Sequence, residues 1–143
     1  FSKIDFSLGF QKGKDMEMNF KVFGQKHGLE QPLVILINEN SASTSEVLAR
    51  GLQVQKRATI IGTTSAGMVL PSIIVELDDG SYLQYPIIDF KDMDGELLES
   101  QGVTPDILVP LKIKDLKNNI DTQLQAAISF LNKNSNYKKK DTK

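Results

Sequence analysis

Two stretches near the start of the chain, Ile4 to Phe10 and Met16 to Phe23, alternate apolar with polar residues. A period of two suits a strand with one face in a core and one in water, so both are predicted as half-buried strands. Gln11-Lys12-Gly13-Lys14-Asp15 makes a hairpin connection between them, and the polar run from Gly24 to Pro32 reads as a loop. Leu33-Val34-Ile35-Leu36-Ile37 is different, with five apolar residues in succession. That pattern predicts a strand covered on both faces by helices, as in a parallel sheet. Ala58-Thr59-Ile60-Ile61-Gly62 predicts a second such strand. Between them Val47, Leu48, Gly51 and Leu52 recur at helical spacing behind the serine cluster Ser41 to Glu46, so a helix starts within that cluster. The expected unit is βαβ, with the serines at the carboxyl end of its first strand, where open α/β sheets place their ligands.

Past Gly67 the pattern turns to β again. Val69 to Leu77, the turn Asp78-Asp79-Gly80 and Tyr82 to Ile88 predict a hairpin, and Asp92-Met93-Asp94-Gly95 a further turn. Ile107 to Val109 is a short strand, and Asp121 caps a last helix with Leu124, Ala127, Ile128 and Leu131 on one face. The fold class is therefore α/β, with residues 1–135 as a single domain. Residues 136–143, with Lys138-Lys139-Lys140, are a basic tail expected to be disordered.

Composition narrows the chemistry. The chain has 143 residues, no cysteine, one histidine and a formal net charge of -1. Thiolate chemistry and disulfides are excluded, a protein-only zinc site is disfavoured, and nothing draws the chain toward nucleic acid. No apolar run approaches the roughly 20 residues of a membrane span. There is no P-loop or dinucleotide fingerprint, and no cofactor is expected. The acids Asp89, Asp92, Asp94 and Glu96 are spread over a strand end and a turn, which fits a solvated hairpin better than a metal site. The first residue is Phe1 rather than methionine, so a truncated or processed piece is expected.

A serine is nucleophilic only where a base takes its proton and fixed donors receive the oxyanion. The first turn of a helix after a buried strand offers unpaired N–H groups for the second task. The same position also suits a plain helix cap, with Ser43 and Glu46 as a capping box. The run Leu33-Val34-Ile35-Leu36-Ile37-Asn38-Glu39-Asn40-Ser41-Ala42-Ser43-Thr44-Ser45-Glu46 resembles the nucleophile segment of the C-terminal processing (tail-specific) serine proteases. The resemblance continues through Arg57 to Gly62, Leu77 to Ser81, and Leu98-Glu99-Ser100-Gln101-Gly102-Val103-Thr104-Pro105-Asp106. It implies a crotonase-like (ClpP/crotonase) core with an added β-hairpin, a polypeptide substrate cut near its C-terminus, Ser43 as nucleophile and the Thr44 amide as one oxyanion donor. By the same analogy the location is periplasmic or secreted.

The chain departs from the family pattern at one important place. Where the best-known members carry a lysine base, Thr64-Ser65-Ala66-Gly67-Met68-Val69 offers Met68, a thioether that takes no proton at neutral pH. The tricorn-like, lysine-less branch instead uses a histidine from an upstream segment with a glutamate, and Glu99 matches that orienting acid. Glu99 also reads as an ordinary turn glutamate. Lys56 is a candidate substitute base that otherwise reads as a solvated turn, and His27 reads as an exposed loop histidine. Ser65 or Thr64 could hydrogen-bond within the active-site turn. The family's Gly-rich oxyanion turn and any PDZ-like module would lie before Phe1. The alternatives are an inactive member that binds peptide or an apolar ligand, a crotonase-like acyl-chemistry enzyme, and an interaction domain.

Overall fold

The computed structural model describes residues 2–13 and 17–134. Strands β1 (Phe6–Lys12) and β2 (Glu17–Val22) pair antiparallel, as their alternation predicts. Lys14 and Asp15 of the connection, Met16 and the basic tail lie outside the described residues. A strand that the sequence reading left unseparated, β7 (Asp89–Lys91), joins the other edge of β1 to complete a β2-β1-β7 sheet. Its Phe90 is fully buried and meets Phe20 edge-on at 5.9 Å between ring centroids.

The βαβ prediction is realised as β3 (Val34–Ile37), helix α1 (Thr44–Val54) and β4 (Thr59–Gly62), with β3 and β4 parallel neighbours. Strand β8 (Ile107–Leu108) adds parallel to the far side of β4. Successive strand residues face opposite sides, so the complete burial of both Ile60 and Ile61 shows that β4 is covered on both faces. Helix α1 and the last helix, α3 (Thr122–Asn134), are the helices that pack on it. Strand β3 is less covered than predicted: Ile37 is buried, yet Leu36 is exposed. Among the described residues β3 has a lateral neighbour on one side only. Full cover is the property of a central strand, and here that is β4.

Two helical faces are also rotated from expectation. In α1 the buried positions are Glu46, Val47, Ala49, Gly51 and Leu52, while Leu48 faces water. Gly51 is required because β1 crosses there: a Cβ on Gly51 would stand 2.5 Å from Leu8 Cδ2. In α3, Asp121 Oδ1 accepts the Leu124 N–H as a cap, but Leu124 and Ile128 are exposed. Ala127 is buried as expected, but its companion on the inward side is Gln123, whose amide donates to the Val109 carbonyl. That hydrogen bond to the end of β8 fixes which stripe turns inward. A short helix, α2 (Ile113–Lys117), precedes it with no buried residue and no apolar period to announce it.

The predicted hairpin is β5 (Ser72–Glu76) and β6 (Tyr82–Pro86), shorter than the sequence pattern at both ends. Its turn is fixed by the Asp79 carboxylate, which accepts both the hydroxyl and the N–H of Ser81 and is held below the usual carboxylate range by them.

Candidate active site

Strand β3 ends in a tight turn that sorts the three serines by task. Ser41 Oγ accepts the Asn38 N–H, and the Ser41 N–H returns to the Asn38 carbonyl. Ser45 Oγ donates to the Ala42 carbonyl inside the first turn of α1. Both hydroxyls are used within the backbone, whereas Ser43 is exposed and lines a cleft. Ser43 is also the residue between strand and helix whose backbone is strained, with φ 60° and ψ -129°. A side chain held at positive φ costs about 1–3 kcal/mol and persists only where its surroundings enforce it. A sharp strand-to-helix turn of this kind lifts a serine clear of the sheet, the arrangement of a nucleophile elbow.

The enforcing group is Glu46, which is completely buried. Its Oε2 accepts the Ser43 N–H at 3.0 Å and the Met68 N–H at 3.0 Å. Its Oε1 accepts Ser65 Oγ–H at 2.5 Å and the Gly67 N–H at 2.7 Å. The Ser43 N–H is shared with the Met68 carbonyl at 2.9 Å. The capping box is therefore present at Glu46's end, but it is the smaller part of that residue's work. One carboxylate ties the Ser43 turn to the segment 65–68, and a buried charge can be kept only with this degree of hydrogen bonding. Sequence reasoning missed this role. The signal was there: Glu46 stands three residues before Ala49 on the inward stripe of α1, where an acid needs partners.

Ser65 is buried too and extends the network. Its hydroxyl accepts the Val103 N–H at 2.6 Å while donating to Glu46. Thr64 is exposed. Gly67 adopts φ 69°, and a Cβ there would stand 2.8 Å from the Gly102 nitrogen, so the two segments touch backbone to backbone. The segment ending in Asp106 is thereby explained as scaffold: Asp106 accepts the Ile60 N–H and the Gln53 amide, pinning β4 to α1.

Glu99 approaches the same segment from the other side. Its Oε2 accepts the N–H groups of Val69 and Leu70, at 2.9 and 3.1 Å. Oε1 has no protein partner among the described residues. Glu99 and Ser43 line one open cleft of about 380 Å3, together with Ala42, Met68, Leu70 and Tyr85. The structure thus brings Ser43, Met68 and Glu99 together. The Met68 side chain is 65% exposed at the position read as that of the family lysine. Thr44 opens α1, so its N–H is one of the donors a helix leaves without an internal acceptor.

Lys56 and His27 are elsewhere. Helix α1 runs about 16 Å from Thr44 to Val54 at 1.5 Å per residue, and Lys56 follows its far end. The loop carrying His27 lies at that same end, where Arg57 donates to the Leu29 carbonyl. Neither residue borders the cleft. No cluster of His, Asp or Glu among the described residues could hold a metal ion, and no helix among them is long and apolar enough to cross a membrane.

Comparison with known proteins agrees with this geometry. The carboxyl-terminal-processing protease of Synechocystis sp. is 31% identical over 105 residues, covering 71% of this chain and 25% of that protein. The carboxy-terminal-processing protease of Bartonella bacilliformis is 36% identical over 95 residues, covering 66% of this chain and 22% of that one. The chain thus spans about a quarter of the length of these curated relatives. Among solved structures, a photosystem II D1 C-terminal processing protease superposes with a TM-score of 0.64 at 29% identity, over 74% of this chain and 28% of that one. The model of peptidase family S41 matches residues 5–109, which carry the Ser43 turn, Glu46 and Glu99, and the chain belongs to that family.

Proposed function

We propose that the chain is the nucleophile-bearing part of a serine endopeptidase that cuts polypeptides near their C-termini. The observation that carries this reading is Ser43: an exposed hydroxyl at a strained strand-to-helix turn, held from beneath by a buried carboxylate. In this reading Ser43 Oγ attacks the scissile carbonyl, and the Thr44 N–H donates to the oxyanion at the positive end of α1. The tetrahedral intermediate collapses by breaking the C–N bond, the leaving amine takes the proton that the base removed from Ser43 Oγ, and water then hydrolyses the acyl-enzyme and restores the Ser43 hydroxyl.

The Ser43 proton needs a base, and no amine or imidazole among the described residues lines the cleft. Met68 leaves the lysine route closed. The reading therefore assigns the base to a histidine from an upstream segment outside this sequence, as in the lysine-less, tricorn-like branch, with Glu99 Oε1 orienting the imidazole. A crotonase-like arrangement of the core and a periplasmic or secreted location belong to the same proposal. One observation favours a second reading, an inactive member that binds peptide: Met68 itself, a thioether beside the nucleophile.

A fluorophosphonate probe separates the two. In the full-length protein it is expected to label Ser43, and Ser43→Ala is expected to lower peptide cleavage by at least about 10^3-fold. Absence of labelling, with Ser43→Ala indistinguishable from wild type on a cleaved peptide, sinks the hydrolase reading.

A further inference from the structure

The chain has no cysteine, so the thioethers of its 4 methionines are its only sulfur atoms. Met18 lies on β2 and is 47% exposed, and Met93, in the turn after β7, is 38% exposed. Met68 is 65% exposed and, of the described methionines, is the one that lines the cleft of Ser43. Oxidation of a thioether follows the access of the oxidant to sulfur, and it needs no prior loss of a proton. A lysine ammonium, which the family resemblance would put at this position, has no lone pair for a peroxide to attack.

The main chain keeps this side chain beside Ser43. The Met68 N–H donates to Glu46 Oε2 at 3.0 Å, and the Met68 carbonyl accepts the Ser43 N–H at 2.9 Å. On one side the Gly67 N–H is held by Glu46, and on the other the Val69 N–H is held by Glu99. A modified Met68 therefore cannot withdraw by a backbone shift, and only its own side-chain torsions can move it. Access to the sulfur does not depend on which other segments border the cleft. In the hydrolase reading those segments admit a polypeptide to Ser43, and a peroxide is smaller than any peptide.

We infer that Met68 is a modification site at which peroxides reversibly silence Ser43, by converting the thioether in the cleft to the sulfoxide. The inference rests on the hydrolase reading. In the forward step a sulfur lone pair attacks one peroxide oxygen and the O–O bond breaks. One oxygen stays on sulfur, which loses two electrons, and the other leaves as water, or as an alcohol from an organic hydroperoxide. In the reverse step a dithiol gives up two electrons and becomes a disulfide, and the sulfoxide oxygen leaves as water. The consequence for Ser43 follows from polarity. A flexible apolar side chain becomes one with a strong acceptor oxygen and no hydrogen to donate. That oxygen stands beside a hydroxyl whose proton must pass to a base, and beside an oxyanion that needs donors. It competes for the first and repels the second.

The test uses the full-length protein. Samples are treated with rising hydrogen peroxide and quenched with catalase. Each is divided between mass mapping of every methionine, fluorophosphonate labelling of Ser43 and cleavage of dye-labelled β-casein, an unfolded polypeptide. Met68 sulfoxide is expected to form ahead of the sulfoxides of Met18 and Met93, and labelling is expected to slow in step with it. Complete conversion should lower the labelling rate and kcat/KM about tenfold. Both stereospecific classes of methionine sulfoxide reductase, supplied with a dithiol, should restore the rate. Met68→Leu, measured against its own untreated rate, should lose less than about twofold under the same treatment. Oxidation of Met18 and Met93 ahead of Met68 overturns the inference, as does an unchanged labelling rate at full Met68 conversion or an equal loss in Met68→Leu. Should Met68→Leu fail to fold, wild type decides. A rate that falls with Met68 sulfoxide and recovers with the reductases supports the inference, and a rate that follows neither removes it. If the untreated protein neither labels nor cleaves, the hydrolase reading falls first. Binding of the labelled β-casein before and after peroxide then decides the site by itself: loss in step with Met68 sulfoxide supports it and unchanged binding removes it.

Discussion

The turn that carries Ser43 and the hairpin β5–β6 lie on the same cleft and are built in opposite ways. Around Ser43 every buried side-chain nitrogen and oxygen among the described residues has a partner, and one carboxylate takes four donors. In the hairpin Ile74, Tyr82, Leu83 and Tyr85 are all exposed, and β6 has no buried residue. The first region is over-determined and can hold a residue in a conformation that it would otherwise leave. The second is a two-stranded ribbon, marginal when isolated. Reacting groups must be held to within about half an ångström, and only the first region is built to do so. The change from one kind of construction to the other falls between Met68 and Ser72.

The sharpest way to break this comparison is to remove the group on which the rigid half depends. Glu46→Ala leaves the Ser65 hydroxyl and the N–H groups of Ser43, Gly67 and Met68 without their acceptor. Each buried donor left unsatisfied costs about 1–3 kcal/mol, offset in part by relief of a buried charge. A net loss of about 3–4 kcal/mol in urea unfolding is expected, read as a lower midpoint at unchanged slope. A loss below about 1 kcal/mol would mean that the network is incidental, and with it the claim that Glu46 enforces the turn.

A smaller effect of opposite sign tests the strain. Ser43→Gly removes the side chain from a residue at φ 60°, where glycine pays no steric penalty. Stability is expected to rise by about 1 kcal/mol while Ser43-dependent activity is lost. A destabilised Ser43→Gly would show that the turn is relaxed as it stands and that its shape stores nothing.

Much of this organisation was legible in the residues, and the reason differs by element. Period-two alternation gave β1 and β2, and unbroken apolar runs gave β3 and β4, because burial acts directly on those patterns. Ser43 was singled out as the candidate nucleophile through the ordered family resemblance rather than through local chemistry, which serves a cap and a nucleophile alike. Glu46 was readable as a cap but not as a hub, since its other three donors come from residues 65–68, joined to it only by the fold. The inward stripe of α3 was misplaced by one position because Leu124 and Ile128 look more buriable than Gln123. The hydrogen bond from Gln123 to the Val109 carbonyl decides otherwise. Helix α2 buries nothing, so no period could reveal it.

The smallest effect is expected in the hairpin, and it sharpens the comparison most directly. Leu83 stands opposite Val75 on the apolar face and is 47% exposed. Leu83→Thr introduces a β-branched side chain suited to a strand and loses one cross-strand apolar contact, worth about 0.5 kcal/mol. Chemical unfolding should register no more than that, against the several kcal/mol expected at Glu46. A loss above about 2 kcal/mol would require Leu83 to be covered in solution. The hairpin would then belong to a packed surface, its face closed by another part of the protein or a second copy.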